Sequence, residues 1–147
     1  MKKSAILING VSLPHHVIDK AVQQAGKNGR QLKVVFIYEN TDDKEYPGEL
    51  ASKADISESN AVKNLEDLVQ HNAEYVETNF MQHDVQHEIV VLRNPSIEEV
   101  AASLSDADKI FVDHETFMHP DEFAYVNFSF EDLEEQIKTK IEWCKRD

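Results

Sequence analysis

Four of the chain's seven histidines lie in two short stretches that also hold hydroxyl, amide or carboxylate groups. The first stretch contains Asn9, Ser12, His15 and His16; the second contains Asp113, His114, Glu115 and His119. Imidazole nitrogens beside carboxylate oxygens suit zinc or another divalent transition metal. They also titrate near neutrality, which would allow proton sensing. His83 and His87 have the spacing of a helical metal pair, but Asp84 to His87 leads into a strand, where i and i+4 no longer share a face. Cys144 is the single cysteine, so neither an internal disulfide nor a thiolate cluster can form. The chain carries no nucleophile elbow, phosphate loop, dinucleotide fingerprint or catalytic cysteine motif. Acidic pairs such as Asp42-Asp43 and Glu134-Glu135 read as solvated faces. No enzymatic activity is expected.

The surrounding elements must be strands alternating with helices. Ala5 to Ile8 is a continuous apolar run ended by Asn9-Gly10, as in a strand buried on both faces. Pro14 suits the start of a helix, and Val17, Ile18, Ala21, Val22 and Ala25 recur at helical spacing. Gly26 and Gly29 offer left-handed stops. Leu32 to Tyr38 is a second buried strand. A polar loop is expected from Glu39 to about Ile56, then a long helix marked by Val62, Leu65, Val69, Ala73, Val76 and Phe80. Val85 to Leu92 is a third strand. Ser96 to Glu99 is a capping box opening a helix with Val100, Ala101 and Leu104 inside. Lys109 to Asp113 is the fourth strand.

The remainder is read differently. His114 to Glu122 is expected to be a polar loop, and Phe123 to Phe130 a short edge strand or packed loop. Phe130, Leu133, Ile137, Ile141 and Cys144 then form one stripe of a final helix, with Trp143 off that stripe and facing a partner or the core edge. Strand–helix alternation implies an open, mostly parallel, Rossmann-like α/β sheet of four or five strands with helices on both faces.

At 147 residues the chain suits one domain, spanning 1–147. A formal net charge of −13 disfavours nucleic-acid and anionic-membrane partners. The N-terminal apolar run is too short for a signal peptide or membrane span, so a cytoplasmic location is expected.

From Val85 to Glu115 the sequence resembles the universal stress protein family. The matching pieces are Arg93-Asn94-Pro95, Glu98-Glu99-Val100 and Asp106-Ala107-Asp108, ahead of the fourth strand. Ile6 to Tyr38 is similar to the family's opening strand, helix and strand, so the likeness extends from Ala5 to Asp113. It implies strand order 3-2-1-4, or 3-2-1-4-5 if a fifth strand exists. Family members normally close with a helix and a fifth strand that often pairs across a dimer, whereas this chain is read as ending in a helix.

Two departures bear on function. Where ATP-binding members end the first strand with aspartate, this chain has Asn9. Where they follow the fourth strand with Gly-x-x-Gly and a later Gly-Ser or Gly-Thr, it has Asp113-His114-Glu115-Thr116, and no glycine follows Gly48. Phosphate cradles need closely approaching backbone N–H groups. ATP is therefore not expected, and no cofactor is assigned.

In the order implied by the resemblance, the first and fourth strands are neighbours. Their carboxyl ends would then bring together a rim of Asn9, Ser12, His15, His16, Asp113, His114 and Glu115, where open sheets bind ligands. A divalent metal held by His15, His114 and His119 is one expectation for this rim. Sulfur-relay proteins also open with a strand ending Asn-Gly, but need a reactive rim cysteine, which Cys144 on a last helix would not supply. The reading preferred from sequence is a nucleotide-free stress-response or regulatory scaffold that homodimerises or docks on a protein. Its alternative is a small-ligand or metal-binding module using the histidine-rich rim.

Overall fold

The computed structural model describes residues 3–10, 12–39, 65–114, 126, 130–137 and 140–144. Five strands form one all-parallel sheet in the order β3-β2-β1-β4-β5: β1 Lys3–Asn9, β2 Gln31–Tyr38, β3 His87–Arg93, β4 Lys109–Asp113 and β5 Lys140–Cys144. Four helices are described: α1 His15–Asn28, α2 Leu65–Gln82, α3 Ile97–Leu104 and α4 Phe130–Gln136.

Period-two alternation divides β1 between two cores. Ile6 and Ile8 face α1 and α2, where they join Val34, Phe36, Val17, Ile18, Val69, Val76 and Phe80. Ala5 and Leu7 face α3 and α4, joining Val35, Ile37, Val100, Leu104, Val112 and Leu133. This is why β1 and β2 read as unbroken apolar runs: helices cover both faces. β3 lies at an edge and is only half-buried along its length, with Val91 exposed.

The punctuation of the helices follows local chemistry. Pro14 precedes α1, and its carbonyl accepts hydrogen bonds from the N–H groups of Val17 and Ile18. Gly29 ends α1 in the left-handed conformation, φ 62°, with its N–H donating to the Ala25 carbonyl. The Ser96–Glu99 capping box is present in both directions: Glu99 N–H donates to Ser96 Oγ at 3.1 Å, and Ser96 N–H to Glu99 Oε1 at 3.2 Å.

The C-terminal third corrects the sequence reading. The final helix stops at Gln136, and Ile141, Trp143 and Cys144 lie on a strand beside β4 rather than on a helical stripe. Lys140-Ile-Glu-Trp-Cys144 alternates across the sheet: Cys144 joins the α1–α2 core, while Ile141 and Trp143 pack against the α3–α4 core. Either period could accommodate these apolar positions, and pairing with β4 decided between them. The fifth strand left open by the sequence therefore exists, and it follows the helix that ends at Gln136. Val126 is in no strand. The rest of the expected Phe123–Phe130 edge strand, the expected polar loops from Glu39 to about Ile56 and from His114 to Glu122 beyond their first residues, and Val62 of the expected long helix lie outside the described residues, apart from the start of α4 at Phe130.

At the amino ends of the strands an ion-pair group ties the sheet together. Lys3 Nζ lies 3.0 Å from Asp106, Lys33 Nζ lies 3.3 Å from the same carboxylate, and Arg30 pairs with Asp108.

Candidate functional site

The opposite end of the sheet, at the carboxyl ends of β1 and β4, is where the connections part in opposite directions and where an open α/β sheet offers a ligand crevice. β1 ends in Asn9, and the chain turns away at Gly10 with φ 95°, a conformation that glycine adopts readily. Gly10 N–H donates to the Ile37 carbonyl at 2.9 Å, holding this turn against β2.

Asn9 is buried, and its Oδ1 accepts a hydrogen bond from Val126 N–H at 2.9 Å. The side chain of Val126 is buried in the α3–α4 core. The Asn9 amide oxygen is thus engaged within the protein. The sequence contained no spacing signal for this contact, which spans 117 positions.

Asp113 ends β4 on the other face. Only 2% of its side chain is exposed, and Oδ1 lies 3.2 Å from His16 Nε2 in the first turn of α1. The two atoms are within ion-pair distance but are not aligned as a hydrogen bond. Cys144 is the register partner of Asp113 on β5 and is itself buried. Burial pushes its thiol pKa up; of the nearby charges Lys20 opposes this most, the Glu142 and Asp113 carboxylates add to it, and Lys109 opposes it least. Cys144 therefore does sit towards the carboxyl end of a strand, contrary to its expected place on a helix, but its environment disfavours the thiolate.

The other histidines go elsewhere. His15 is exposed and meets the edge of Tyr75 from α2, with ring centroids 5.8 Å apart. His114 packs edge-on to Trp143, centroids 5.6 Å apart, on the α3–α4 side. The sheet thus stands between the His16–Asp113 pair and the His114–Trp143 pair. Ser12 is half-buried ahead of α1. Glu115 and His119 lie outside the described residues. Among the described residues no three His, Cys, Asp or Glu side chains are grouped to hold a metal ion. His15 and His114 are directed to different aromatic partners rather than to each other.

A third feature escaped the sequence reading because the helix assigned to 130–144 hid it. Glu142 on β5 bridges Lys20 of α1 and Lys109 of β4, each at 3.1 Å, and Lys109 also donates to Gln24 Oε1 at 2.9 Å. Burial alone would raise the Glu142 carboxyl, but the ammonium groups of Lys109 and Lys20 beside it outweigh this and hold its pKa below the usual value.

No family model matches the chain, and no curated protein matches it in sequence. Its fold, however, is that of universal stress proteins. The universal stress protein from Archaeoglobus fulgidus superposes with a TM-score of 0.58 at 12% identity, covering 97% of this chain and 98% of that one. A universal stress protein family member from Arabidopsis thaliana, solved with AMP bound, gives 0.53 at 9% identity, covering 100% and 93%. The hypothetical protein MJ0577, whose biochemical function was assigned from its structure, gives 0.66 at 11% identity, covering 99% and 96%. The order 3-2-1-4-5 and the arrangement of helices agree with the expectation drawn from the resemblance.

Proposed function

We propose that this chain is a divergent universal stress protein that does not hold ATP and acts in the cytoplasm as a stress-response or regulatory scaffold. It works by pairing with a second copy or docking on a protein, and no catalytic step is assigned to it. The observation that carries the nucleotide-free reading is the engagement of Asn9 by Val126 at the crevice. The Asp113 carboxylate adds to it: buried negative charge at the end of β4 repels a phosphate, whereas a phosphate site needs converging backbone N–H groups. AMP is bound by the Arabidopsis protein of the same fold, so the proposal is a statement about how this chain differs.

The dimer reading is supported by β5. It is an edge strand of the sheet, and an unpaired edge is a template for pairing with another chain. Glu134, Ile137, Ile141 and Trp143 line a groove of about 390 Å³ beside it. The formal charge of −13 supports a protein partner over nucleic acid.

Native mass spectrometry with and without Mg-ATP and zinc tests this reading. A dimer that takes up neither ligand is expected. A second reading, a small-ligand or divalent-metal module, draws support from the partly exposed His16 beside Asp113. Stoichiometric zinc lost in His16→Ala would favour it.

A further inference from the structure

Strand β3 closes the edge of the sheet opposite β5, and among the described residues it pairs on one side alone, with β2. The pairing runs without a bulge from His87 beside Leu32 to Arg93 beside Tyr38. It is bracketed by Leu32 N–H donating to the Gln86 carbonyl and Asn94 N–H donating to the Tyr38 carbonyl. Alternation then turns the N–H and C=O groups of Glu88, Val90 and Leu92 towards β2, and those of His87, Ile89, Val91 and Arg93 away from the sheet. The centre of the strand, Ile89-Val90-Val91-Leu92, holds no charge, proline or bulge, the devices that blunt an edge.

Helix α2 flanks this edge. Tyr75 meets His15 of α1, so the opposite side of the helix, Glu66, Gln70, Glu77 and Met81, lies away from α1, on the β3 side. All four are exposed, Met81 to 66%, and Val91 on β3 is 38% exposed. Burial raises the Tyr38 phenol pKa, and the charges that act on it are Glu66 of α2 and Arg93 of β3, which sets those two residues at one corner of the edge. α2 contains no lysine or arginine, and β3 contains Arg93 alone.

We propose that the β3 edge docks an extended, lysine- or arginine-bearing segment of a partner protein, which joins the sheet as a further strand. The segment's backbone pairs with the outward groups of Ile89 and Val91, apolar side chains lie against Val91 and Met81, and basic ones meet Glu66 and Glu77. A second copy is the disfavoured occupant. Antiparallel pairing of two β3 edges keeps both α2 helices on one face and sets each Glu66–Glu77 flank against its copy, in chains of net charge −13. The inference rests on the protein-docking part of the proposed function and gives it a surface and a partner chemistry.

Two short peptides, one alternating Lys and Val and the other Glu and Val, test it in amide NMR spectra of the full chain. The Lys peptide should shift the Ile89 and Val91 amides and slow their exchange, with Val90 protection unchanged, and the Glu peptide should do neither. Val91→Pro removes an outward donor without breaking the ladder to β2 and should abolish binding. Glu66→Lys combined with Glu77→Lys should weaken the Lys peptide about tenfold, and it decides the matter if Val91→Pro does not fold. Equal binding of the two peptides, or binding indifferent to the charge reversal, overturns the proposal. Shifts of Ile89 and Val91 that grow with protein concentration alone also overturn it, by assigning the edge to a second copy. Mg-ATP retained with the peptide shifts intact removes the nucleotide-free reading and leaves the docking edge standing. Peptide shifts absent from a dimer that still refuses ATP remove this inference alone.

Discussion

At the ends of the strands, residues that look alike in sequence have been given different work. His15 and His16 are adjacent, yet His15 is exposed against Tyr75 while His16 faces a carboxylate that is only 2% exposed. His16→Ala should therefore destabilise the fold by about 1 kcal/mol more than His15→Ala, measured by urea unfolding, because it removes a neighbour from a buried charge. Cys144 gives a second prediction. Its buried thiol, with pKa pushed up, should react with a thiol reagent at neutral pH at least about tenfold more slowly in the native protein than in urea. Equal rates would contradict its placement in the sheet core. Glu142 gives a third. Its pKa is lowered in the fold, so the stability it contributes is present above its ordinary value of 4.5 and is lost as pH falls through the lowered folded value. Unfolding free energies measured from neutral pH down through that region should decline, and Glu142→Gln should flatten part of the decline.

At the scale of elements, what the sequence revealed depended on whether one periodicity had a competitor. β1, β2 and β4 are continuous apolar runs with turn residues at their ends, and no helical stripe fits them. The Ser96 capping box was legible because its chemistry is local, and Ser96→Ala should cost about 1 kcal/mol in thermal or urea unfolding. β5 was not legible. Leu133, Ile137, Ile141 and Cys144 satisfy a helical pattern of four- and three-residue spacings, and only pairing with β4, a non-local partner, turns the last two into strand positions. The same limit applies to the candidate site. The sequence placed Asn9 and Asp113 correctly at strand ends, but it could not say that alternation sends Asp113 towards α1 and His114 towards Trp143. The Asn9–Val126 hydrogen bond was beyond reach for the same reason: nothing local encodes a contact between residues so far apart.

At the scale of the molecule, the fold is shared with proteins of about one-tenth sequence identity, which is what a doubly covered parallel sheet allows. Patterning sets the layers and leaves the strand ends free to differ between proteins of one fold. The two ends of this sheet differ in character. The amino ends are cross-linked by Lys3, Lys33 and Arg30 with Asp106 and Asp108, and the carboxyl ends hold the buried Asn9 and Asp113. No helix among the described residues is long and apolar enough to cross a membrane. On the proposed reading, a universal stress protein fold has here been separated from nucleotide binding. Native mass spectrometry of the full chain with millimolar Mg-ATP tests it most directly. A dimer whose mass is unchanged by the nucleotide is expected. One ATP retained per chain would contradict it.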